Sequence, residues 1–96
     1  MLQPGVGSKK MEPNLHQKQG INHLIKVLGY AKFVADGDRA TVHLTPEDWH
    51  VTADTLFHME TPKEMLPEAI EAYRLVDGNQ AIELKTANLV IDVRML

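Results

Sequence analysis

Ile82–Met95, IELKTANLVIDVRM, is the stretch whose reading decides the fold. Ile82 and Leu84 alternate with Glu83 and Lys85. Beyond Thr86-Ala87-Asn88, Leu89, Ile91, Val93 and Met95 alternate with Val90, Asp92 and Arg94. A period of two sends successive side chains to opposite faces of a strand, so one face of each run is apolar and the other solvated. The pattern predicts two antiparallel strands turning near Ala87-Asn88. An apolar sheet face needs a cover, and the preceding chain has to supply it.

Moving back along the chain, Leu66, Ala69, Ile70, Tyr73 and Val76 fall at helical spacing, with Asp77-Gly78 placed as a stop. This reading assigns a helix to residues 67–76, beginning at Pro67. A weak internal repeat argues against it. At an offset of 41 residues, AKFVADGDRA (Ala31–Ala40) lies over AYRLVDGNQA (Ala72–Ala81) with four identities in ten. A hairpin in the first segment would argue for one in the second.

Thr45-Pro46-Glu47-Asp48 is the clearest helix start in the chain. Thr45 can cap, Pro46 suits the first helical position, and Asp48 can close a capping box. Trp49, Ala53, Leu56 and Phe57 then share a face, which predicts a helix over 46–59. Tyr30–Leu44, YAKFVADGDRATVHL, reads as a hairpin about Asp36-Gly37, a dipeptide suited to positive φ; the rival reading carries the first helix on to Ala35. That first helix is expected over 15–28, from Ile21, Leu24, Ile25 and Leu28 at i, i+3, i+4, i+7, with Gly29 as its stop. Gly20 weakens its early turns by about 1 kcal/mol relative to alanine. Residues 1–13, poor in apolar side chains, read as a mobile tail.

The expected architecture is therefore one α+β domain over 14–96. It has a small antiparallel sheet of about four strands, ending in a C-terminal β-hairpin, with two to three helices packed on one face. Its expected core is Ile21, Leu24, Leu28, Trp49, Leu56, Phe57, Ile82, Leu84, Leu89, Ile91 and Val93.

Composition narrows function mainly by exclusion. The 96 residues are 44% hydrophobic and 24% charged, with formal net charge −3 and no cysteine. Disulfide scaffolds, thiolate zinc sites, iron–sulfur clusters and cysteine nucleophiles are ruled out. No stretch approaches the roughly 18 apolar residues of a membrane span. The start, MLQPGVGSKK, lacks the apolar run of a secretory signal, so the expected location is the cytoplasm. Ser8, the only serine, lies in the expected tail, where nothing would hold it for catalysis. Gly5-Val6-Gly7-Ser8-Lys9-Lys10 lacks both the preceding strand and the full spacing of a phosphate loop.

One constellation could carry chemistry. On the expected helix over 46–59, His50, Asp54 and His58 stand four residues apart, with Glu47 one turn earlier and His43 on the neighbouring strand. Residues at that spacing can share a divalent cation, or pair as an oriented general base. The plainer reading is the ordinary polar face of an amphipathic helix. No cofactor is implied.

Charge is unevenly distributed. Residues 1–44 hold six basic and three acidic residues, whereas residues 45–96 hold four and ten. Lys18 and Lys26 give the first helix a positive field that could touch nucleic acid. No recognition helix or aromatic platform accompanies them, so this ranks third. The contrast better suits self-association, or docking to another protein through a sheet edge or helix face, with Tyr30, Trp49 and Tyr73 as candidate anchors. Trp49 is assigned first to the core. A small non-enzymatic interaction module, self-associating, is the leading expectation. A metal-dependent or acid–base enzyme using His50, Asp54 and His58 is the alternative, and a small-molecule ligand would need a pocket that sequence does not reveal.

Overall fold

Asn14 opens the first helix by a reciprocal cap. Its Oδ1 accepts the Gln17 backbone N–H at 2.8 Å, and Gln17 Oε1 accepts the Asn14 N–H at 3.0 Å. Two donors that a helix start leaves unpaired are thereby satisfied. The structure is a computed structural model that describes residues 13–96. Apart from Pro13, the expected tail lies outside the described residues.

Helix α1 runs Leu15–Val34, well past the expected stop at Gly29. The expected hairpin over Tyr30–Leu44 is therefore corrected, and the rival reading holds. The cause is packing. Gln17, Gly20, Leu24, Val27 and Ala31 are buried at steps of three and four, and that stripe continues past Gly29 without a break. Phe33 and Val34, whose β preference favours a strand, point to solvent at 87% and 37% exposure, so no sheet packing rewards that preference. The turn itself lies where the sequence places it. Asp36 and Arg39 exchange backbone hydrogen bonds at 2.8 and 3.3 Å, with Gly37 at φ +69° between them. This turn joins a helix, rather than a strand, to β1 (Arg39–Leu44).

Helix α2 spans Pro46–Phe57, close to the expected 46–59. Thr45 Oγ1 accepts the Asp48 N–H at 3.2 Å, and Pro46 fills the first position, where no N–H is needed. Trp49 is 3% exposed and donates its indole N–H to the Val93 carbonyl at 2.8 Å, tying α2 to the sheet. Thr52 and Thr55 are fully buried, and each donates its hydroxyl four residues back, to Asp48 O and Val51 O.

After a single 3-10 turn at Lys63–Met65, the expected helix over 67–76 is replaced by strand β2, Ala72–Val76. Leu66 and Ile70 still reach the core, but from irregular chain around Pro67. Tyr73 and Leu75 pack beside them from one face of β2, while Arg74 lies opposite Glu83 on the other. The hairpin foreshadowed by the offset repeat thus exists only in its second copy. Asp77, Gly78 and Asn79, all at positive φ, turn the chain into β3 (Ala81–Lys85). Strand β4 (Val90–Met95) follows.

The sheet order is β1-β4-β3-β2. β4 pairs in parallel with β1 and antiparallel with β3, and β2 pairs antiparallel with β3. The α+β arrangement with four strands is as expected, with two helices, but the sheet is mixed rather than wholly antiparallel. The C-terminal strand lies inside the sheet, so both its edges are paired. Both helices pack on one face, where Leu24, Val27, Ile82, Leu84, Ile91 and Val93 are almost fully buried. Ile21, Leu28, Phe57 and Leu89 flank this core half-buried.

Candidate functional site

Helix α1 has two sides of opposite character, marked by its two glycines. Gly20 faces α2. A Cβ placed there would stand 1.9 Å from Thr55 Oγ1 and 2.6 Å from Thr55 Cβ, so the bare backbone is what lets the helices approach. Gly29 faces outward, and among the described residues a Cβ there would meet nothing within 4 Å. One turn before and one turn after it, Ile25 and Phe33 are 54% and 87% exposed. Residues four apart form a ridge along a helix surface, so Ile25, Gly29 and Phe33 make an apolar ridge with a notch at its centre.

A groove of about 580 Å³ runs beside this ridge. Ile25, Leu28, Gly29 and Lys32 of α1 form one wall, so the ridge is also the rim of the groove. The other carries Glu68, Glu71 and Leu89, from the Pro67 segment and the β3–β4 turn. That wall is braced by its own bonds. Thr86 Oγ1 accepts the Leu89 N–H at 3.0 Å, the Ile70 N–H bonds Pro67 O at 3.1 Å, and the Glu71 N–H bonds Lys85 O at 2.7 Å. Ile91 of β4, fully buried, also lines the groove, which is apolar within, cationic on the helix side and anionic opposite.

The residues singled out by sequence lie elsewhere. Asp54 is bracketed by two imidazoles, with His58 Nδ1 at 3.2 Å from Oδ1 and His16 Nε2 at 3.3 Å from Oδ2. His16 comes from α1 and is not among the expected members. His50 instead sets its ring edge-on against Trp49, with centroids 5.2 Å apart. The His16 contact ties α1 to α2 across a partly exposed seam, while His58, the C-cap of α2, takes the other carboxylate oxygen from within its own helix. A second tie lies further along α1, where His23 Nδ1 stands 3.3 Å from Thr52 Oγ1 and Nε2 stands 3.7 Å from Asp48. Among the described residues, no three His, Asp or Glu side chains are grouped to hold a metal ion. Among the described residues, five surface depressions are lined by residues other than Asp54, His16 and His58.

Of the candidate anchors, Trp49 is in the core and Tyr73 packs edge-on against Phe57 with centroids 5.5 Å apart. Tyr30 is 55% exposed and borders a shallow depression with Lys26 and His43. Lys18 and Lys26 are exposed on α1, which carries no acidic residue. His43 lies on the uncovered sheet face, in the same layer as Arg39, Thr41, Arg74, Glu83, Asp92 and Arg94. Much of that layer's charge is spent internally. Arg74 pairs with Glu83 at 2.7 Å, and Arg94 pairs with Asp77 and stands 3.9 Å from Asp92.

The ridge escapes a sequence reading that counts Ile25 on the buried face, Gly29 as a stop and Phe33 in a strand. Its signal is present in the rival reading. A helix carried to Ala35 places all three on one outward line.

No protein-family model, curated protein or solved structure matches the chain. Among the described residues, no helix is long and apolar enough to cross a membrane.

Proposed function

We propose that the protein is a small non-enzymatic interaction module that self-associates through the outer flank of α1 and the groove beside it. The observation that carries this reading is the exposed Ile25–Gly29–Phe33 ridge bordering an apolar groove. A helix face built for solvent would carry polar side chains at these positions. The sheet edges are poorer candidates. At β1, Asp36 already occupies the Arg39 backbone groups, and β2 is five residues long with an exposed arginine at its centre. Charge and brevity of this kind protect edges from pairing. The absence of cysteine from the sequence suits a reducing cytoplasm, the location this reading assumes.

Light scattering across a wide range of concentration tests the proposal. The mass is expected to rise from 10.8 kDa toward twice that value. Ile25→Asp and Phe33→Asp, both at exposed positions, should hold the chain at 10.8 kDa without unfolding it. A wild-type chain that stays monomeric at the highest concentrations would sink the self-association reading.

A further inference from the structure

We infer that two copies pair through α1, running antiparallel, with Gly29 on the two-fold axis. This rests on the self-association reading and specifies its geometry. A glycine inside a helix is unfavourable relative to alanine unless something needs the space. For Gly20 that something is Thr55 of the same chain, but among the described residues nothing lies within 4 Å of a Cβ placed at Gly29 to account for it. A second helix crossing at Gly29 does account for it, because the missing Cβ admits close backbone approach, as it does at Gly20.

The flanking residues fit a copy of the same chain. In an isologous contact, residue i meets j while j meets i. Antiparallel helices crossing at Gly29 bring position 29+4 of one copy to 29−4 of the other, so each Phe33 meets the partner's Ile25. There it lies at the mouth of the partner's groove, whose walls offer Leu28 and Leu89. Such a two-fold axis keeps both groove-side flanks on the same side of the pair. The Lys32 side chains of the two copies therefore sit among the Glu68 and Glu71 carboxylates of both, and α1 brings no acidic residue of its own to oppose them. Ridges spaced by four residues are the commonest way helices interlock.

The cysteine-free sequence makes the test direct. Gly29→Cys places one thiol at the axis and should cross-link into a disulfide dimer under mild oxidation. Lys18→Cys, on the same helix, should not, since its two copies would lie roughly 33 Å apart along the axis at 1.5 Å rise per residue. Because a thiol at the crossing can itself loosen the pair, association is also measured by sedimentation. Gly29→Ala should weaken it about tenfold and Gly29→Leu should abolish it. Both substitutions face open space in the single chain, and neither should lower its thermal stability. Added salt should weaken association by screening Lys32 from Glu68 and Glu71. A dimer that tolerates Gly29→Leu and cross-links no faster at position 29 than at 18 overturns this geometry and leaves self-association standing. A monomer at every concentration overturns both.

Discussion

Gly20 and Gly29 occupy the same helix and differ in everything except the missing side chain. One lies under α2 with Thr55 against it, and the other stands in open space. The difference separates two reasons for a helical glycine. The first is legible inside the chain as a close helix contact, whereas the second has no such contact among the described residues, and the proposed pairing of two copies would supply one. The inward side of α1 is held by packing and by the His16 and His23 ties, while the outward side leaves Ile25 and Phe33 in water.

The largest effect that would test the inward half is Gly20→Ala. A methyl group 1.9 Å from the Thr55 hydroxyl cannot be accommodated without moving α1 off α2. Overpacking of this kind costs about 1–3 kcal/mol, and the upper end is expected because the Thr55 Cβ behind the hydroxyl is fixed to the backbone of α2 and fully buried. Urea unfolding measures the loss. A neutral outcome would mean that the two helices are not in close contact. Gly29→Ala is the matched experiment on the outward half, with the opposite sign. In dilute, monomeric protein it should stabilise by about 1 kcal/mol through helix propensity alone. A loss of stability there would show that some part of the chain packs on Gly29.

These two substitutions also separate what is legible in the sequence from what is not. Period-two alternation makes β3 and β4 legible, and a strong cap makes α2 legible, because both signals are local. The extent of α1 is not, since Phe33 and Val34 favour a strand and only the burial of Ala31 against the sheet decides for helix. β2 is hidden for the converse reason. Leu66 and Ile70 belong to the core in either conformation, and their spacing resembles a helix although irregular chain delivers them. At the site, the spacing of His50, Asp54 and His58 identifies a real Asp54–His58 contact. It cannot identify His16, which is 38 residues away and reaches Asp54 only through the helix packing that Gly20 permits.

A smaller effect is expected at the start of α1, where Gln17 joins the inward side to the chain beyond α2. Its side chain accepts the Asn14 N–H, and donates to Thr61 Oγ1 at 2.9 Å and Met59 O at 3.3 Å, in a residue only 8% exposed. Gln17→Leu keeps the volume and removes all three bonds. The expected cost is about 1–2 kcal/mol in urea unfolding, from the lost side-chain half of the cap and the partly buried acceptors left unpaired. If Gln17→Leu is as stable as the wild type, apolar packing alone anchors α1, and the polar contacts at its start contribute nothing to holding the inward side.

The smallest effect belongs to the uncovered sheet face, which is outward-facing like the Gly29 flank but carries paired charges instead of bare apolar groups. The hydrogen bond from the Arg74 guanidinium holds the Glu83 carboxyl below the usual carboxylate range, and burial opposes that shift only in part. A carboxyl with a lower value in the folded than in the unfolded chain stabilises the fold above its unfolded value. It loses that contribution as pH falls through the folded one. The pair is solvent-exposed and screened by salt, so its effect on stability is slight. Its titration is nevertheless measurable by carbon-detected NMR of the side-chain carboxyl. Arg74→Ala should move the Glu83 midpoint up toward the ordinary carboxylate range while leaving self-association unchanged, because Arg74 lies on the opposite side of the molecule's sheet from α1. An unmoved midpoint would mean that Arg74 and Glu83 do not pair in solution. A change in association would transfer the contact surface from α1 to the sheet, and the contrast between the two glycines would lose its functional meaning.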